Sequence, residues 1–252
     1  MTDTGNNPSC GGGCADLSEF TFLMAFQPVV DVTSRRIYAY EALVRGANGE
    51  SAASVLSQVT ETNRYAFDQA CRVKAIKSAT RLGLDRRLNI NFMPNAVYSA
   101  EACLRLTLAS AKEAGFPLNL ITFEFTENEL IIDRPHLKNI ILTYQQHGFL
   151  TALDDFGTGY SGLSLLADFQ PDTIKIDRIL VTNIDTDKPR QAIVAGLLKT
   201  AQILGISIVA EGVERIEEKN VLIDLGVHLF QGFLFARPSL EHLIPDHQIN
   251  WD

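Results

Sequence analysis

The sequence lacks the features that mark several common protein classes. No apolar run approaches the roughly 20 residues that a membrane-spanning helix needs. Met1 to Asp16 has no basic segment followed by an apolar core, as a secretory signal would have. Basic residues are not in excess either, since the formal net charge is −8, which argues against nonspecific binding to nucleic acid. We therefore expect a cytoplasmic protein that binds neither membranes nor nucleic acid.

Cysteine is scarce, with four residues in a chain of 252. Cys71 and Cys103 lie in segments with helical spacing, which favours small core residues. Cys10 and Cys14 are either a metal or redox pair or two free thiols in a flexible tail. We favour the tail, because no nearby residue completes a ligand set and because residues 1–17, rich in Gly, Asn, Ser and Thr, are predicted to be disordered.

The remainder of the chain, residues 18–252, contains no linker, and no glycine-rich phosphate-binding sequence follows its first predicted strand. Strand-like and helix-like segments alternate throughout, with glycines such as Gly115 and Gly205 as helix stop signals. About eight strands alternate with helices, which predicts a mainly parallel sheet. The length and the rhythm fit one α/β domain, a TIM-type (β/α)8 barrel.

One stretch, Thr151 to Leu163, joins an apolar strand to two adjacent acids and a glycine-broken loop. Successive side chains of a strand point to opposite faces, so Asp154 and Asp155 can share one site only if the backbone turns at the strand end. Gly157 and Gly159 permit such a turn. Two acids held together repel unless a proton or a cation lies between them. A loop with two solvated acids is the alternative interpretation.

Seven apolar strands each end on or near a polar residue. Taken singly, each of these residues could be a polar side chain that faces water at a strand end and has no functional role. Together they are expected to converge on the C-terminal mouth of one barrel, where barrels of this type keep their active sites. The seven residues are Glu41, Asn91, Glu124, Asp154, Lys175, Glu211 and Gln231.

The acids among these residues, with Asp155, indicate a metal centre. Carboxylates and an amide are hard oxygen ligands, and none of the five histidines lies in a pair with zinc-ligand spacing, so Mg²⁺, Mn²⁺ or Ca²⁺ suits the set better than zinc. Two divalent cations together with Lys175 would balance the five carboxylates. The acid count therefore predicts a two-metal centre for phosphoryl displacement, bridged by Asp154 and Asp155. The five acids are Glu41, Glu124, Asp154, Asp155 and Glu211.

The same residues carry a resemblance to a known family. The sequence resembles the EAL domain, named for the triplet that occurs here as Glu41-Ala42-Leu43. The resemblance implies a phosphodiesterase domain over residues 18–252 that linearises cyclic di-GMP to pGpG, and a barrel whose first strand runs antiparallel to the others. The further motifs are Gln27-Pro28, Asn91 with Pro94-Asn95, Glu124-Phe125-Thr126-Glu127, Asp154 to Tyr160, Lys175-Ile176-Asp177, Ala210 to Glu214, and Gln231-Gly232 with Pro238.

The resemblance also implies a ligand set for each metal and a catalytic group. The first metal would be bound by Glu41, Asn91, Glu124 and Asp154. The second would be bound by Asp154, Asp155 and Glu211. The implied catalytic group is Lys175, Glu211 and Gln231, of which Lys175 and Gln231 contact the attacking water.

Further roles are implied for substrate binding and assembly. Arg45 would bind a substrate phosphate, and Glu127 would anchor the loop from Phe156 to Leu163, which links the metal site to the interface of a homodimer. The implied cofactors are two Mg²⁺ or Mn²⁺ ions, with Ca²⁺ inhibitory. The residues implied to contact substrate or support its site are Gln27, Leu43, Arg45, Asn95, Asp177, Glu214 and Pro238.

Three functions follow from the resemblance. Hydrolysis of cyclic di-GMP would lower a bacterial signal that controls biofilm formation and motility. The alternatives are a receptor that binds cyclic di-GMP without cleaving it, and a regulator that acts by protein contact. Both usually lack metal ligands, and none is missing here, so we favour the enzyme. The sequence identifies no upstream regulator and leaves no room for a sensor module, so control is expected from expression, a partner, dimerisation or product levels.

Overall fold

Short apolar strands and amphipathic helices alternate along the chain, as the sequence predicts. The structure is a computed structural model that describes residues 20–97, 99–126, 134–159 and 162–251. The predicted disordered tail, residues 1–17, lies outside these ranges. The strands are β1 (Phe22–Asp31), β2 (Arg36–Gly46), β3 (Arg87–Asn91), β4 (Ile121–Thr126), β5 (Leu150–Phe156), β6 (Thr173–Ile176), β7 (Ser207–Ala210), β8 (Leu229–Phe230) and β9 (Ser239–Leu240).

Helices connect the strands across the outside of the sheet. Ser99 caps the N-terminus of the third helix and Gly115 ends it in a left-handed conformation, as the sequence indicates. Among the described helices, none is long and apolar enough to cross a membrane. The α-helices of the described residues are α1 (Ala52–Leu56), α2 (Arg64–Arg81), α3 (Ala100–Ala114), α4 (Arg134–Gln146), α5 (Gly162–Asp168), α6 (Arg178–Val181), α7 (Lys188–Leu204) and α8 (Ile216–Leu225).

The sheet closes into a barrel because β1 pairs with both β2 and β8. Strands β2 to β8 run parallel to one another, and β1 is antiparallel to its partners. The short strand β9 adds to the edge of β1. The TIM-type α/β barrel and its antiparallel first strand are therefore confirmed.

Strand alternation separates the apolar core from the polar interior. In β3, Leu88 and Ile90 are buried against the surrounding helices, whereas Asn89 and Asn91 point to the other face. The parallel register sets Asn89 beside Glu41 of the preceding strand. The C-terminal ends of the strands therefore carry their polar side chains into the barrel.

The predicted helix at Ser51 to Thr60 is shorter in the structure, where α1 ends at Leu56. Of the residues that follow, Ser57 competes for backbone hydrogen bonds, and the β-branched Val59 and Thr60 have low helix propensity. Asn63 stabilises the turn, since its Oδ1 accepts the backbone N–H of Thr60 at 2.7 Å. Three short elements, α5, α6 and β9, were not predicted, because runs of two to seven residues carry too little periodicity.

A buried arginine ties α2 to the outer wall of the barrel. Arg72 donates from Nη1 to the Tyr144 hydroxyl at 2.8 Å, and its Nη2 lies 2.7 Å from Oδ2 of Asp68. The guanidinium also lies over the ring of Phe123, 5.0 Å from its centroid. Asp68 accepts the backbone N–H of Met93 at 3.0 Å. Both members of this ion pair are excluded from water, so each charge depends on the other for compensation.

We expect Asp68→Asn to lower the free energy of unfolding by about 3–5 kcal/mol, because the substitution leaves the Arg72 charge buried without a counter-ion. Glu113→Gln is the control, since Glu113 pairs at 3.4 Å with Lys77 on the exposed surface, where such a pair contributes about 1 kcal/mol or less. Urea denaturation followed by circular dichroism measures both values. Equal losses in the two variants would show that Asp68 is not an essential counter-ion.

Candidate metal centre

A buried lysine lies at the centre of an acidic cluster in the barrel mouth. Lys175 is 1% exposed, because β6 directs it into the barrel while Ile174 and Ile176 face outward. Its Nζ lies 2.8–3.2 Å from a carboxylate oxygen of each of four acids. Each acid comes from a different part of the barrel, and they are Glu41 on β2, Glu124 on β4, Asp154 on β5 and Glu211 just after β7.

Two side-chain amides join this cluster through Glu41. Asn91 donates from Nδ2 to one oxygen of Glu41 at 2.9 Å. Gln231 donates from Nε2 to the other oxygen at 2.7 Å and also to Oε1 of Gln27 at 3.2 Å. All seven strand-end residues singled out in the sequence therefore lie in one connected group.

Asp155 reaches this group because the backbone reverses at Asp155 itself. Its φ of +53° is left-handed, a conformation that aspartate adopts more readily than most residues. The backbone N–H of Asp155 donates to Oδ1 of Asp154 at 2.9 Å. The sequence predicts that Gly157 and Gly159 permit the turn, and Gly157 does have a φ of +105°. The reversal nevertheless begins two residues earlier, at the acid.

Lys175 and Glu41 form the ionised centre of the cluster. Burial alone would lower the pKa of Lys175, but the surrounding carboxylates outweigh it and raise that pKa well above its usual value. Burial likewise opposes ionisation of Glu41, yet Lys175 and the hydrogen bonds from Gln231 and Asn91 lower its pKa. The pair is therefore charged at neutral pH.

The other acids show that the cluster has more negative charge than one ammonium can neutralise. Burial and neighbouring carboxylates raise the pKa values of Glu124 and Glu211 well above their usual range, despite the contact of each with Lys175. Burial and Asp154 raise the pKa of Asp155 to about 6. Further positive charge would therefore be stabilised at this point.

Within the part of the chain that the structure describes, two groups of oxygens are close enough to share a cation. In each group, one ligand atom from each of three acids lies within 4.8 Å of the others. Asp154 belongs to both groups. Hard oxygen donors with uncompensated charge fit two divalent cations such as Mg²⁺ or Mn²⁺. The groups are Glu41, Glu124 and Asp154, and Asp154, Asp155 and Glu211.

Two cavities adjoin the cluster. Arg178 and Phe233 line the first, of about 210 Å³, and neither was proposed from the sequence. The second, of about 360 Å³, is largely apolar and is lined by Leu43 and Asn91 among others. The predicted site residues in the lining of the first cavity are Gln27, Asp177, Glu211, Glu214 and Gln231.

The remaining predicted substrate residues lie outside the linings of these two cavities. Arg45, at the end of β2, donates from Nη1 to the backbone oxygen of Val44 at 2.7 Å. Asn95 is exposed in the short 3-10 turn at Pro94–Ala96, and Pro238 is half-buried just before β9. Glu127 falls outside the described residues. The roles of all four therefore stay predictions.

Asn89 is a member of the cluster to which the sequence analysis gave no role. Its Nδ2 donates to Oε1 of Glu124 at 2.7 Å, and its side chain is buried. Asn89 precedes Asn91 by two residues in β3, so both side chains share a face. That alternation was the signal in the sequence.

Two known bacterial proteins are similar to this chain over most of its length. The antirepressor BluF of Escherichia coli K12 is 36% identical over 217 residues, which are 86% of this chain and 54% of BluF. The cyclic di-GMP phosphodiesterase RocR of Pseudomonas aeruginosa is 34% identical over 171 residues, which are 68% of this chain and 43% of RocR. The chain thus spans about half the length of these relatives.

A similar solved structure has nearly the same length. The standalone versatile EAL protein from Vibrio cholerae O395, in its c-di-GMP-bound form, is 52% identical with a TM-score of 0.88. The alignment covers 92% of this chain and 97% of that protein. The sequence model of the EAL domain matches residues 15–238. The chain therefore belongs to the EAL domain family.

Proposed function

We propose that this protein hydrolyses cyclic di-GMP to linear pGpG, with two Mg²⁺ or Mn²⁺ ions as cofactors. The observation that carries the proposal is the complete acidic cluster around Lys175. The name of RocR describes a cyclic di-GMP phosphodiesterase, and the Vibrio cholerae neighbour binds c-di-GMP. Both support the same substrate for this chain.

The acids would bind the cations in the two groups described above, with Asn91 as a further ligand of the first. When bound, two divalent cations would polarise the scissile phosphate and lower the pKa of the attacking water. Arg45 would contact a substrate phosphate, since a guanidinium can bind it through two parallel hydrogen bonds.

Lys175 and Gln231 would orient the attacking water. Lys175 offers an ammonium whose pKa is raised, so it acts as a fixed positive charge and hydrogen-bond donor. The Nε2 of Gln231 is occupied by Glu41 and Gln27. Its Oε1 is buried and has no hydrogen-bond partner among the described residues. That oxygen is available to accept a hydrogen bond from the water.

A regulator that acts by protein contact is the second candidate, and the name of BluF, an antirepressor, favours it. The intact cluster favours hydrolysis, because a protein that only contacts partners has no need of a costly group of buried charges. A homodimer, a loop anchored by Glu127 and a cytoplasmic location remain parts of the proposal.

The first expected result is metal-dependent hydrolysis. Purified protein should convert cyclic di-GMP to pGpG with Mg²⁺ or Mn²⁺, and excess chelator should abolish the reaction. Ca²⁺ should inhibit, because it prefers longer bonds and more ligands. Chromatography of the products measures all three. Undiminished turnover in chelator would contradict the two-metal proposal, and binding without cleavage would identify a receptor.

Lys175→Ala and Asp154→Asn should separate orientation of water from binding of metal. We expect Lys175→Ala to bind Mn²⁺ and cyclic di-GMP while kcat falls by about 10²–10³, the range for the loss of one preorganised hydrogen-bond donor. Asp154→Asn should lose metal affinity together with activity, because Asp154 belongs to both ligand groups. Calorimetry and product formation measure the two effects. If Lys175→Ala lost Mn²⁺ binding as severely as Asp154→Asn, the role of Lys175 would be limited to neutralising the acidic cluster.

Arg45→Ala should raise KM by about 10–100-fold with a smaller change in kcat, since a hydrogen bond to a charged group contributes about 1.5–3 kcal/mol. Arg45→Lys should recover only part of the loss. Arg105→Ala, on the exposed face of α3, is the control and should leave KM unchanged. Steady-state kinetics measures KM and kcat of each variant. An unaltered KM in Arg45→Ala would mean that Arg45 is only a solvated residue.

A further inference from the structure

The carboxylate of Glu218 is buried beside the 210 Å³ cavity and accepts four hydrogen bonds. Its side chain is 4% exposed. Oε1 accepts the backbone N–H of Asn183 at 2.9 Å and Nε of Arg215 at 3.2 Å. Oε2 accepts the backbone N–H groups of Glu214 and Arg215, both at 3.2 Å. Burial opposes ionisation, but these donors outweigh it and lower the pKa of Glu218.

The donors belong to two separate loops. Glu214 and Arg215 lie between β7 and α8, in the loop that begins with Glu211. Asn183 lies between β6 and α7, in the connection that begins with Asp177. Residues of both loops line the cavity. Glu218, which belongs to α8, therefore joins two loops that both contribute residues to the cavity lining.

The two loops are packed too closely to move independently. An ideal Cβ at Gly212 would lie 2.5 Å from Cβ of Arg178 across the contact. Asn183 has a left-handed φ of +59°, a conformation that needs support from its surroundings. Arg215 adds an ion pair with Asp185. A displacement of either loop would therefore also displace the other loop.

Glu211 connects this assembly to the metal centre. Its Oε1 lies 2.8 Å from Nζ of Lys175, and it belongs to the second ligand group. Glu214, three residues later, lines the cavity. Both residues belong to the loop whose backbone Glu218 holds at Glu214 and Arg215.

We propose that Glu218 is a positioning residue, which links the loops after β6 and β7 and so holds Glu211 and Glu214 in place for metal and substrate. The ligands named here rest on the proposed function. The competing explanation is that Glu218, at the third position of α8, only caps the helix by accepting the N–H of Arg215. A cap does not require the bonds to Asn183 and Glu214, so the explanations differ in a measurable way.

Glu218→Gln should be compared with Glu217→Gln. Both substitutions remove one negative charge from the first turn of α8, so they change the interaction with the helix dipole alike. Glu217 is exposed, which makes it a matched control. In Glu218→Gln one acceptor oxygen becomes a donor that faces backbone N–H groups, and the link between the loops is broken.

Hydrogen exchange gives a readout that does not depend on activity. We expect amide exchange at Asn183 and Glu214 to accelerate by about 10-fold in Glu218→Gln, the effect of about 1.4 kcal/mol, and to stay unchanged in Glu217→Gln. Calorimetry should show a rise of similar size in the Kd for Mn²⁺. KM for cyclic di-GMP should rise likewise at saturating metal, with a smaller change in kcat.

Two outcomes would overturn the inference. One is unchanged exchange at Asn183 and Glu214, with acceleration confined to the first turn of α8. The other is accelerated exchange with unchanged Mn²⁺ affinity and KM. Should Glu218→Gln fail to fold, Glu218→Asp, which keeps the charge on a shorter side chain, takes its place with the same criteria. A wild-type protein that hydrolyses nothing would refute the proposed function, while exchange would still decide the link.

Discussion

One ammonium surrounded by four carboxylates is the interaction on which the barrel mouth depends. Burial of any one of these charges alone would cost several kcal/mol. Lys175 and Glu41 compensate each other, whereas burial and the neighbouring carboxylates raise the pKa values of Glu124 and Glu211 despite their contacts with Lys175. The negative charge that Lys175 does not neutralise destabilises the folded chain and would favour the binding of cations. The repulsion among the carboxylates at the barrel mouth is therefore also what makes this site suitable for divalent cations.

The barrel makes this arrangement possible by separating two kinds of packing. Outside the strands, apolar residues pack against the helices, and the buried Arg72–Asp68 pair joins α2 to that layer. Inside, the parallel register brings the polar ends of successive strands together, so that acids from β2, β4, β5 and the loop after β7 meet in one cluster. Closure by the antiparallel β1 adds Gln27, which helps to orient Gln231. The site is thus a product of the whole sheet.

Loops add precision that the strands cannot supply. Asp155 shares a site with its neighbour because the backbone reverses at that acid. Glu218 joins two loops that the chain places far apart, and these loops carry Glu211 and line the cavity beside it. Cation sites tolerate small errors in ligand position poorly, so residues that hold the loops would contribute to the proposed hydrolysis together with the ligands.

The sequence by itself determined the alternation of strands and helices, the polar residue at each strand end and the EAL motifs, because these depend on local periodicity and spacing. It did not place the expected turn at Asp155 itself, and it did not reveal the hydrogen bond from Asn89 to Glu124 or the buried Arg72–Asp68 pair. Only the tertiary structure decided these, along with the free oxygen of Gln231 and the link through Glu218. Arg72 and Asp68 are only four residues apart, but their exclusion from water depends on packing against Tyr144 and Phe123. Other contacts join residues that lie far apart in the chain, by 204 residues for Gln27 and Gln231, and no local pattern encodes a contact that forms only when the barrel closes.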